Sequence, residues 1–352
     1  MTDSPLVSVI VPMRNEADTI EQLVDDIANQ DYDGPLELIV ADGLSSDDSV
    51  EVLESASARL GVTVHVLENT NVHTAPALNL CLAHAQGDVI VRMDCHARYA
   101  SDYVRRCVAV LAETDAWLVG GRTHVEGRNA VQKAVASAMD SPFGGIGWSR
   151  DGAEARAETD TVYGGAFPRT AFERAGHYDD RLECNEDEEL ALRIARAGGI
   201  IIVDSTIRST YYPRSSLGAL YKQYRRYGVW KPPIMLKHRH VFSTRSLAPA
   251  VFVLSLGGLA LASIASVRAR QVLVAEVGVY AAAASTFAVL SVRRRGDSLA
   301  LAPIVAAAYP ALHLGYGIGM LRGAFDTWRR RASEGRDVHA DSASADSRPD
   351  RR

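Results

Sequence analysis

Cysteine is scarce in this sequence of 352 residues. The four cysteines stand at positions 81, 95, 107 and 184, and no two of them form a CxxC pair. This spacing excludes the common paired metal and redox motifs and favours a reduced, cytosolic protein. The N-terminal residues MTDSPLVSVIVP also lack the basic start and long apolar core of a signal peptide.

Two nucleotide-binding signatures are missing as well. The chain contains neither GxGxxG nor GxxxxGKS/T, so a dinucleotide-dependent oxidoreductase and a P-loop enzyme lose support. Residues 1–210 carry 35 acids against 17 bases, whereas residues 211–352 carry 8 acids against 21 bases. So acidic a first part is not expected to bind nucleic acid. Residues 211–245 hold eight bases and no acid, which is typical of a segment facing anionic lipid headgroups.

Short apolar runs alternate with amphipathic stretches over the first hundred residues. The runs LVSVIV, LELIVAD, VTVHVLE and DVIVRMD begin at residues 6, 36, 62 and 88, and helical patterns at 19–29, 49–60 and 77–85 separate them. Strand and helix repeating every ~30 residues predict an α/β fold with a parallel, doubly wound sheet. Because such sheets bind ligands beyond the carboxyl ends of their strands, the residues after each run are the first candidates for a site.

The second part of the chain contains three long apolar segments. Residues 246–267 carry no charge, residues 271–292 include Glu276, and residues 298–321 contain two prolines. Their length suits a bilayer better than a soluble helical core, which is the alternative.

These segments divide the chain. We predict a catalytic domain over residues 1–235, membrane-embedded helices over 236–330 and a disordered polar tail over 331–352. With a cytosolic catalytic domain, three full crossings leave six lysines and arginines near the membrane on each side, without a positive-inside bias. If the proline-containing third segment is re-entrant, ten lie inside and two outside. We therefore predict a cytosolic C-terminus.

Polar residues follow the first two runs. Pro12 ends the first run, and the turn after it contains Arg14, Asn15 and Glu16. Such a turn can place backbone N–H groups and a guanidinium beside a phosphate, although on this motif alone an ordinary loop and helix cap is the preferred explanation. Asp42 ends the second run, where a carboxylate can accept hydrogen bonds from a base N–H or a ribose hydroxyl. The alternative is an aspartate that starts a turn.

The fourth run ends on an acid, a thiol and an imidazole, Asp94, Cys95 and His96. In an extended segment the side chains of Asp94 and His96 point the same way and can bind one ion through oxygen and nitrogen. This mixed pair suits Mn²⁺ better than Ca²⁺, with Mg²⁺ as the second candidate. A strand-ending aspartate beside a surface histidine explains the triplet equally well.

Four consecutive acids, Glu186, Asp187, Glu188 and Glu189, open an amphipathic helix in CNEDEELALRIARAGG. Acids at a helix N-terminus are stabilising without any catalysis, which explains some of them. A carboxylate at a helix start beside a cleft can also act as a general base toward a hydroxyl group. Because a helix turns ~100° per residue, at most one or two of the four can face such a cleft. Glu188 and Glu189 are expected to act only through helix-end electrostatics.

Two further motifs carry candidate residues. Gly164 and Gly165 permit close approach between the backbone and a ligand. Gln223, Arg226 and Tyr227 have Q-x-x-R-aromatic spacing within the basic segment. Arg226 could bind a pyrophosphate, while a helix that holds lipid headgroups by charge is the alternative for its basic neighbours.

Taken together and in this order, these motifs resemble those of glycosyltransferase family 2. The resemblance covers residues 6–232, and RMDCHARYASDYV, NEDEEL and YYPRSSLGALYKQYRRYG look most like the succinoglycan-type, membrane-associated glucosyltransferases. It implies a GT-A fold, a Rossmann-like mixed sheet, followed here by membrane helices. It also implies a nucleotide-diphosphosugar donor, a divalent ion and inversion at the anomeric carbon.

The resemblance further implies a role for each matched residue. The nucleotide contacts would come from Pro12, Arg14, Glu16, Asp42 and Asp94. The diphosphate and a Mn²⁺ or Mg²⁺ ion would be held by Asp94 and His96. Asp187 would be the general base, with Glu186 beside it near the acceptor. The acceptor and diphosphate contacts would come from Gly164, Gly165, Gln223, Arg226 and Tyr227.

The sequence departs from the family pattern at two positions. His96 stands where many members have a second aspartate, which leaves the choice of metal open. Tyr227 stands where processive members usually have tryptophan. With so few membrane segments, this second departure favours the addition of a single sugar over the extrusion of a polymer.

We therefore expect an enzyme that moves one sugar, with glucose as the expected one, from a UDP-sugar to a polyprenyl-diphosphate-linked saccharide in exopolysaccharide or cell-surface glycan synthesis. The expected location is the plasma membrane, with several passes and a cytoplasmic catalytic domain. Two alternatives stay open. One is a synthase of a polyprenyl-monophosphate sugar, and the other is a non-catalytic membrane scaffold of a polysaccharide assembly.

Overall fold

The computed structural model describes residues 4–144, 156–241 and 244–345, with side chains as far as residue 331. The chain divides into two compact units, Met1–Ser215 and Ser216–Arg352. The first unit is the α/β part, and the second contains the long apolar helices. The boundary between the units lies within the basic segment 211–245, whereas the change in composition predicts a boundary after residue 235.

The first half of the α/β unit follows the sequence pattern closely. Its strands are β1 (Val7–Met13), β2 (Leu36–Asp42), β3 (Val64–Glu68) and β4 (Val89–Arg92). Its helices are α1 (Ile20–Ala28), α2 (Ser49–Leu60) and α3 (Thr74–His84). The four strands lie side by side in the order β3-β2-β1-β4, and all three pairings are parallel.

The second half of this unit extends the sheet. Its strands are β5 (Ala97–Tyr99), β6 (Ala116–Val125), β7 (Arg156–Glu158), β8 (Gly165–Pro168) and β9 (Ile200–Tyr211). Its helices are α4 (Tyr103–Glu113), α5 (Ala130–Met139), α6 (Arg169–Ala175) and α7 (Glu186–Arg196). Beyond β4 the order is β8-β6-β9-β5, with β7 paired to β9.

These added strands make the sheet mixed. The pairs β4–β8, β6–β8, β5–β9 and β7–β9 are antiparallel, and β6–β9 is parallel. The alternating pattern of the first hundred residues predicts only parallel strands. Parallel neighbours need a crossover of a dozen or more residues, and after β4 the chain does not repeat that spacing. The mixed Rossmann-like sheet implied by the family resemblance is therefore the one present.

The core lies on both faces of the sheet because side chains alternate along each strand. On β1, Val7, Val9 and Val11 face the layer that contains α1, α2 and α4. Ile10 faces the opposite layer, which contains α3, α6 and α7. All four of these β1 side chains are fully buried. With both faces covered, ligands can reach the central strands only at their ends.

The second unit is helical. Its helices are α8 (Leu217–His238), α9 (Ala248–Ala262), α10 (Val267–Arg295) and α11 (Ala302–Ala345). Three segments are long and apolar enough to cross a membrane, namely Thr244–Ala262, Val267–Arg295 and Leu299–Arg331. They correspond to the three apolar segments of the sequence.

The boundaries in the second unit differ from the expected ones at two places. The first apolar helix ends at Ala262 rather than at residue 267, because a turn intervenes before the Ser266 side chain caps α10. α11 continues to Ala345, where composition predicts a disordered tail. Adding residues to an existing helix costs far less than starting one, so a polar segment can continue it. Residues 346–352 of the predicted tail lie outside the described residues.

Candidate active site

The candidate residues of the first unit lie where the central strands end. Asp42 is the last residue of β2, and Pro12 pairs with Ala41 beside it. Arg92 is the last residue of β4 and pairs with Gly165, the first residue of β8. The sequence motifs therefore meet at one edge of the sheet, as the strand–helix pattern predicts.

Asp94 and His96 lie in a tight turn between β4 and β5. The strand ends at Arg92, and the Ala97 N–H donates to the Asp94 carbonyl at 3.2 Å. The expectation of an extended segment that points both side chains the same way is therefore wrong. An early end of β4 lets the chain reverse into β5, which pairs with β9.

The Asp94 carboxylate forms a buried ion-pair cluster with Arg92 and Glu186. Arg92 Nε lies 3.1 Å from Asp94 Oδ1, and Arg92 Nη2 lies 3.4 Å from Asp94 Oδ2. Arg92 Nη1 lies 3.0 Å from Glu186 Oε1; this contact is an ion pair by distance, since its angle does not satisfy a hydrogen bond. Arg92, Asp94 and Glu186 are only 6%, 5% and 6% exposed. Arg92 therefore joins the end of β4 to the start of α7.

Burial and the arginine act in opposite directions on the two carboxyl groups. Burial alone would raise the pKa of Asp94, but the charges of Arg92 and His96 and hydrogen bonds from Arg92 and Tyr163 together hold that pKa below its ordinary value. Burial raises the pKa of Glu186 above its ordinary value despite the opposing charge of Arg92. Asp94 is thus the more firmly ionised member of the cluster.

Tyr163 contacts both predicted metal ligands. Its hydroxyl lies 3.4 Å from His96 Nε2, and the same side chain helps to lower the pKa of Asp94. On the other side of the imidazole, His96 Nδ1 lies 3.9 Å from Glu16 Oε1. The His96 side chain is 38% exposed, so it can reach a ligand. The turn brings Asp94 and His96 to one hydroxyl group even though it is not extended.

Asp42 stabilises the loop after β2. Its Oδ1 accepts a hydrogen bond from Ser45 Oγ at 2.6 Å, and its Oδ2 accepts one from the Ser45 N–H at 3.0 Å. The Asn15 N–H donates to the same Ser45 hydroxyl at 2.8 Å. The turn-forming alternative for Asp42 therefore describes what this side chain does in the protein. Contact with a nucleotide would use the remaining lone pairs of the carboxylate.

The turn after β1 is stabilised by hydrogen bonds to serines that follow β2. The Glu16 N–H donates to Ser49 Oγ at 2.7 Å, and Thr19 Oγ1 donates to Glu16 Oε2 at 2.6 Å. Arg14 is exposed, and a Cβ built on Gly43 would lie 3.4 Å from Arg14 Cβ. Arg14 and Glu16 are thus placed beside Asp42 by the ends of two neighbouring strands.

The glycine pair is explained by the backbone itself. Gly164 and Gly165 have φ angles of 61° and 90°, in the left-handed region that favours glycine. A Cβ on Gly165 would also lie 2.6 Å from the Val119 carbonyl oxygen. At Gly165 the close approach is between the backbones of β8 and β6. Contact of this glycine with a ligand stays a prediction.

The structure distinguishes the four acids at the start of α7. Glu186 contacts Arg92, as described above. Glu189 is fully buried, and both of its oxygens accept from Arg193 Nε, at 3.0 and 2.9 Å. Asp187 is half-buried, and its Oδ1 accepts from the Glu188 N–H at 2.8 Å. Asp187 and Glu188 are both half-buried, and the contact with the Glu188 N–H fixes the Asp187 carboxylate at the helix start.

The expectation that Glu189 acts only as a helix-end charge is wrong. Arg193, its partner, donates through Nη2 to the His177 carbonyl at 2.6 Å and through Nη1 to the Ala175 carbonyl. The pair therefore fastens α7 to the end of α6. The sequence does not reveal this because a glutamate and an arginine four residues apart also occur on exposed helix surfaces.

Glu189→Gln is expected to destabilise the protein by about 3 kcal/mol, because it leaves the Arg193 charge without a counter-ion in a buried setting. Glu188→Gln, at a half-buried neighbour, should cost ~1 kcal/mol or less. Thermal unfolding of both variants in detergent measures the difference. Equal unfolding temperatures would show that the Glu189–Arg193 pair contributes no more than a surface charge.

The remaining candidates lie in the second unit, on α8. Gln223 Nε2 donates to the Tyr227 hydroxyl at 3.0 Å, so two members of the Q-x-x-R-Y motif lie on one face of the helix, four residues apart. Arg226 is exposed on the same helix. Their contact with the acceptor or the diphosphate stays a prediction.

Sequence reasoning missed Arg92 and Tyr163 as residues of the site. Arg92 follows three apolar residues within the run DVIVRMD. An arginine there breaks the pattern of a buried strand, and a charge in such a position must be paired. That signal could have identified Arg92. Tyr163 precedes the glycine pair and carries no comparable signal.

Known proteins match this chain in sequence and in fold. The profile of Glycosyl transferase family 2 matches residues 8–174. The succinoglycan biosynthesis protein ExoA of Rhizobium meliloti is 30% identical, over 92% of this chain and 96% of its own length. The chain belongs to glycosyltransferase family 2. It is accordingly a glycosyltransferase, related to proteins of exopolysaccharide biosynthesis.

Two further comparisons are informative about this glycosyltransferase. A Methanococcus voltae protein named dolichyl N-acetyl-alpha-D-glucosaminyl phosphate 3-beta-D-2,3-diacetamido-2,3-dideoxy-beta-D-glucuronosyltransferase is 24% identical over 64% of this chain and 72% of its own. The mannosyltransferase PcManGT of Pyrobaculum calidifontis, solved with GDP-Man and Mn²⁺, superposes with a TM-score of 0.59 at 24% identity, over 88% of each chain. This second likeness confirms the GT-A fold.

Proposed function

We propose that this glycosyltransferase moves a single sugar, glucose, from a UDP-sugar to a polyprenyl-diphosphate-linked saccharide, with inversion at the anomeric carbon. The observation that supports the proposal is the Asp94–Arg92–Glu186 cluster, in which one arginine contacts both the proposed donor-side carboxylate and the acidic start of α7. An inverting transfer needs a base for the acceptor and charge stabilisation for the leaving group on opposite sides of the sugar. The relative from Rhizobium meliloti, named for succinoglycan biosynthesis, supports the exopolysaccharide context.

Asp187 is the proposed general base. Its carboxylate would accept the proton of the acceptor hydroxyl as the oxygen attacks the anomeric carbon. The Glu188 N–H donates a hydrogen bond to Asp187 Oδ1. Because Asp187 is only half-buried, an acceptor hydroxyl could approach its carboxylate. Glu186, held by Arg92, would shape the acceptor side. Asp42, Arg14, Glu16 and Pro12 would bind the nucleotide at the ends of β1 and β2.

Asp94 and His96 are the proposed ligands of a Mn²⁺ or Mg²⁺ ion, and the residues present fit such an ion. Arg92 helps to keep the Asp94 carboxylate ionised, with its pKa below the ordinary value, and a carboxylate oxygen together with an imidazole nitrogen suits such an ion. Among the described residues no three His, Cys, Asp or Glu side chains gather to hold a metal by themselves. The remaining ligands would come from the diphosphate. When bound, the ion supplies charge neutralisation of the leaving group.

We propose that the protein lies in the plasma membrane with several passes and that its catalytic unit is cytoplasmic. The four cysteines, all within the described residues, are buried and form no disulfide, as suits a reducing compartment. The lengths and hydropathies of the apolar helices support membrane embedding.

The proposal is tested by measuring UDP release from the purified protein with UDP-glucose, Mn²⁺ and an extract of lipid-linked saccharides. Release that depends on the extract, with label in a lipid-linked product, supports it. A product formed on polyprenyl monophosphate alone, stable to mild base and labile to mild acid, would replace it with the monophosphate synthase. No release with any nucleotide sugar in a donor screen would contradict a transferase role.

The role of His96 gives a further prediction. His96→Ala should lower activity steeply and raise the Mn²⁺ concentration needed for half-maximal UDP binding, because it removes the nitrogen ligand. His96→Asp should restore much of the activity and of the Mn²⁺ affinity, because its carboxylate supplies an oxygen ligand. Calorimetric titration of UDP at several Mn²⁺ concentrations measures the shift. A His96→Ala protein with an unchanged Mn²⁺ requirement would leave this histidine outside the metal site.

A further inference from the structure

The helix α11 packs lengthwise against α8 with their backbones in contact. A Cβ built on three glycines of α11 would lie only 2.7, 2.1 and 2.0 Å from carbonyl oxygens of α8; the pairs are Gly315 with Tyr221, Gly319 with Arg225 and Gly323 with Val229. No side chain fits at such distances, so glycine is required at these positions. Because both members of the pairs advance by four residues, the two helices run in the same direction over at least two turns.

The contact between the two helices is also close at a glycine of α8. A Cβ on Gly228 of α8 would lie 2.1 Å from the Tyr316 carbonyl oxygen and 2.8 Å from the Met320 nitrogen of α11. Glycines of both helices therefore lie at the contact, and the residues around Gly319 must lie at the same depth as the residues around Arg225.

The α8 helix cannot lie within the hydrocarbon core of a bilayer. Within its contact stretch it carries Lys222, Arg225 and Arg226, and it is absent from the segments apolar enough to cross a membrane among the described residues. Placing several lysines and arginines of one helix at the bilayer centre is strongly unfavourable. The part of α11 that touches α8 is therefore outside the core too.

What remains of the third apolar segment is too short to cross. Residues 299–314 make about 24 Å of helix at 1.5 Å per residue, against a core of about 30 Å. The burial of the three segments supports this conclusion. In Leu299–Arg331, 33% of the most apolar stretch is buried within the protein, compared with 6% and 11% in the other two segments. The third segment is covered by protein, whereas the first two present their surfaces outward.

We propose that the chain crosses the membrane only twice, through the segments Thr244–Ala262 and Val267–Arg295, and that α11 begins and ends on the side of α8. The two crossing helices form an antiparallel hairpin, in which the Ser255 hydroxyl donates to Glu276 Oε2 at 2.9 Å and Phe252 stacks on Tyr280. Gly317 of α11 meets the start of this hairpin, since a Cβ there would lie 2.3 Å from the Pro249 carbonyl oxygen. The proposal does not depend on the donor or acceptor of the proposed reaction.

The distribution of basic residues supports the same topology independently. With two crossings, only Arg268 and Arg270 near the membrane lie on the far side. Ten lie on the side of α8, at positions 237, 239, 245, 293, 294, 295, 322, 329, 330 and 331. This is the bias that the positive-inside rule expects for a cytosolic side.

Two single-cysteine variants of the full chain test the number of crossings. Ala265→Cys lies between α9 and α10, Arg331→Cys lies near the end of the third segment, and both native residues are exposed. The native cysteines are buried, so background labelling should be low. A membrane-impermeant maleimide is applied to intact cells and to inverted vesicles. Two crossings place the two cysteines on opposite membrane sides, whereas three crossings, or none, place them on the same side and overturn the proposal.

A second experiment tests the helix contact from which the topology is inferred. Gly319→Leu should lower the unfolding temperature in detergent by at least about 5 °C, because the side chain has no room against α8. Gly278→Leu is the matched control, since a Cβ at Gly278 of α10 meets no atom within 4 Å. An unchanged unfolding temperature in Gly319→Leu would show that α8 and α11 are not in contact and would overturn the proposal.

Discussion

Asp187→Asn is expected to lower kcat by ~10²-fold or more while the affinity for the UDP-sugar stays near normal. The substitution removes the proton acceptor and little else. An asparagine oxygen can still accept the Glu188 N–H that now binds Asp187 Oδ1, so the start of α7 keeps its geometry. The loss should therefore appear in the chemical step. Steady-state kinetics with UDP-glucose, together with calorimetric binding of UDP, separates kcat from donor affinity.

Glu186→Gln is the informative comparison for this experiment. Glu186 is buried, and Arg92 lies 3.0 Å from its Oε1, so it is poorly placed to receive a proton from an acceptor hydroxyl. Its raised pKa would make it the stronger base if the acceptor could reach it. Normal turnover in Asp187→Asn with no turnover in Glu186→Gln would reassign the base to Glu186. The proposed mechanism would stay the same, with the general base one residue earlier in the sequence.

The first hundred residues show what local pattern can predict. The spacing of apolar and polar residues places a helix at 49–60, and α2 spans Ser49–Leu60. It also places the second strand at 36–42, as found for β2. These elements are set by local periodicity, and their parallel order follows from the helices between them. The edge where the site forms could therefore be predicted without the structure.

The turn after β4 could not be predicted in the same way. Apolar periodicity continues through Met93, yet β4 ends at Arg92 because the chain turns to pair β5 with β9, more than a hundred residues later. The side-chain directions of Asp94 and His96 depend on that distant pairing. Local pattern contains no information about it, so an extended segment was the natural but wrong prediction.

The four acids of α7 teach a related lesson. Their positions at a helix start follow from the sequence, but their different roles depend on partners from elsewhere in the fold. Glu186 forms an ion pair with Arg92. Glu189 binds Arg193, which is held in place by backbone carbonyls at and just after the end of α6. The family resemblance predicts which of the four acids is the catalytic base. The structure places Glu186 and Glu189 in buried ion pairs and leaves Asp187 half-buried, and the role of Asp187 as the base stays a prediction.

Arg92→Met is expected to destabilise the protein by about 3–5 kcal/mol and to abolish measurable transfer. It leaves the carboxylates of Asp94 and Glu186 buried without their shared counter-charge, which is the costly way to break a buried ion pair. Arg156→Met is a matched control: Arg156 Nε lies 2.7 Å from the buried Asp204 carboxylate on the β7–β9 pair. It should lower stability but keep the activity of the folded fraction.

A double substitution shows whether Arg92 acts on both carboxylates as a unit. In Arg92→Met combined with Glu186→Gln, one of the two buried charges is removed, so part of the lost stability should return and the two effects should not add. Arg92→Lys should recover stability better than activity, because a lysine carries the charge but cannot hold two carboxylates in the fixed geometry of a guanidinium. Unfolding temperatures, together with Mn²⁺-dependent UDP binding, measure these effects in each variant. If the two substitutions were simply additive in stability, Arg92 and Glu186 would not be coupled. The ion pair between the end of β4 and the start of α7 would then have no role in holding the two sides of the site together.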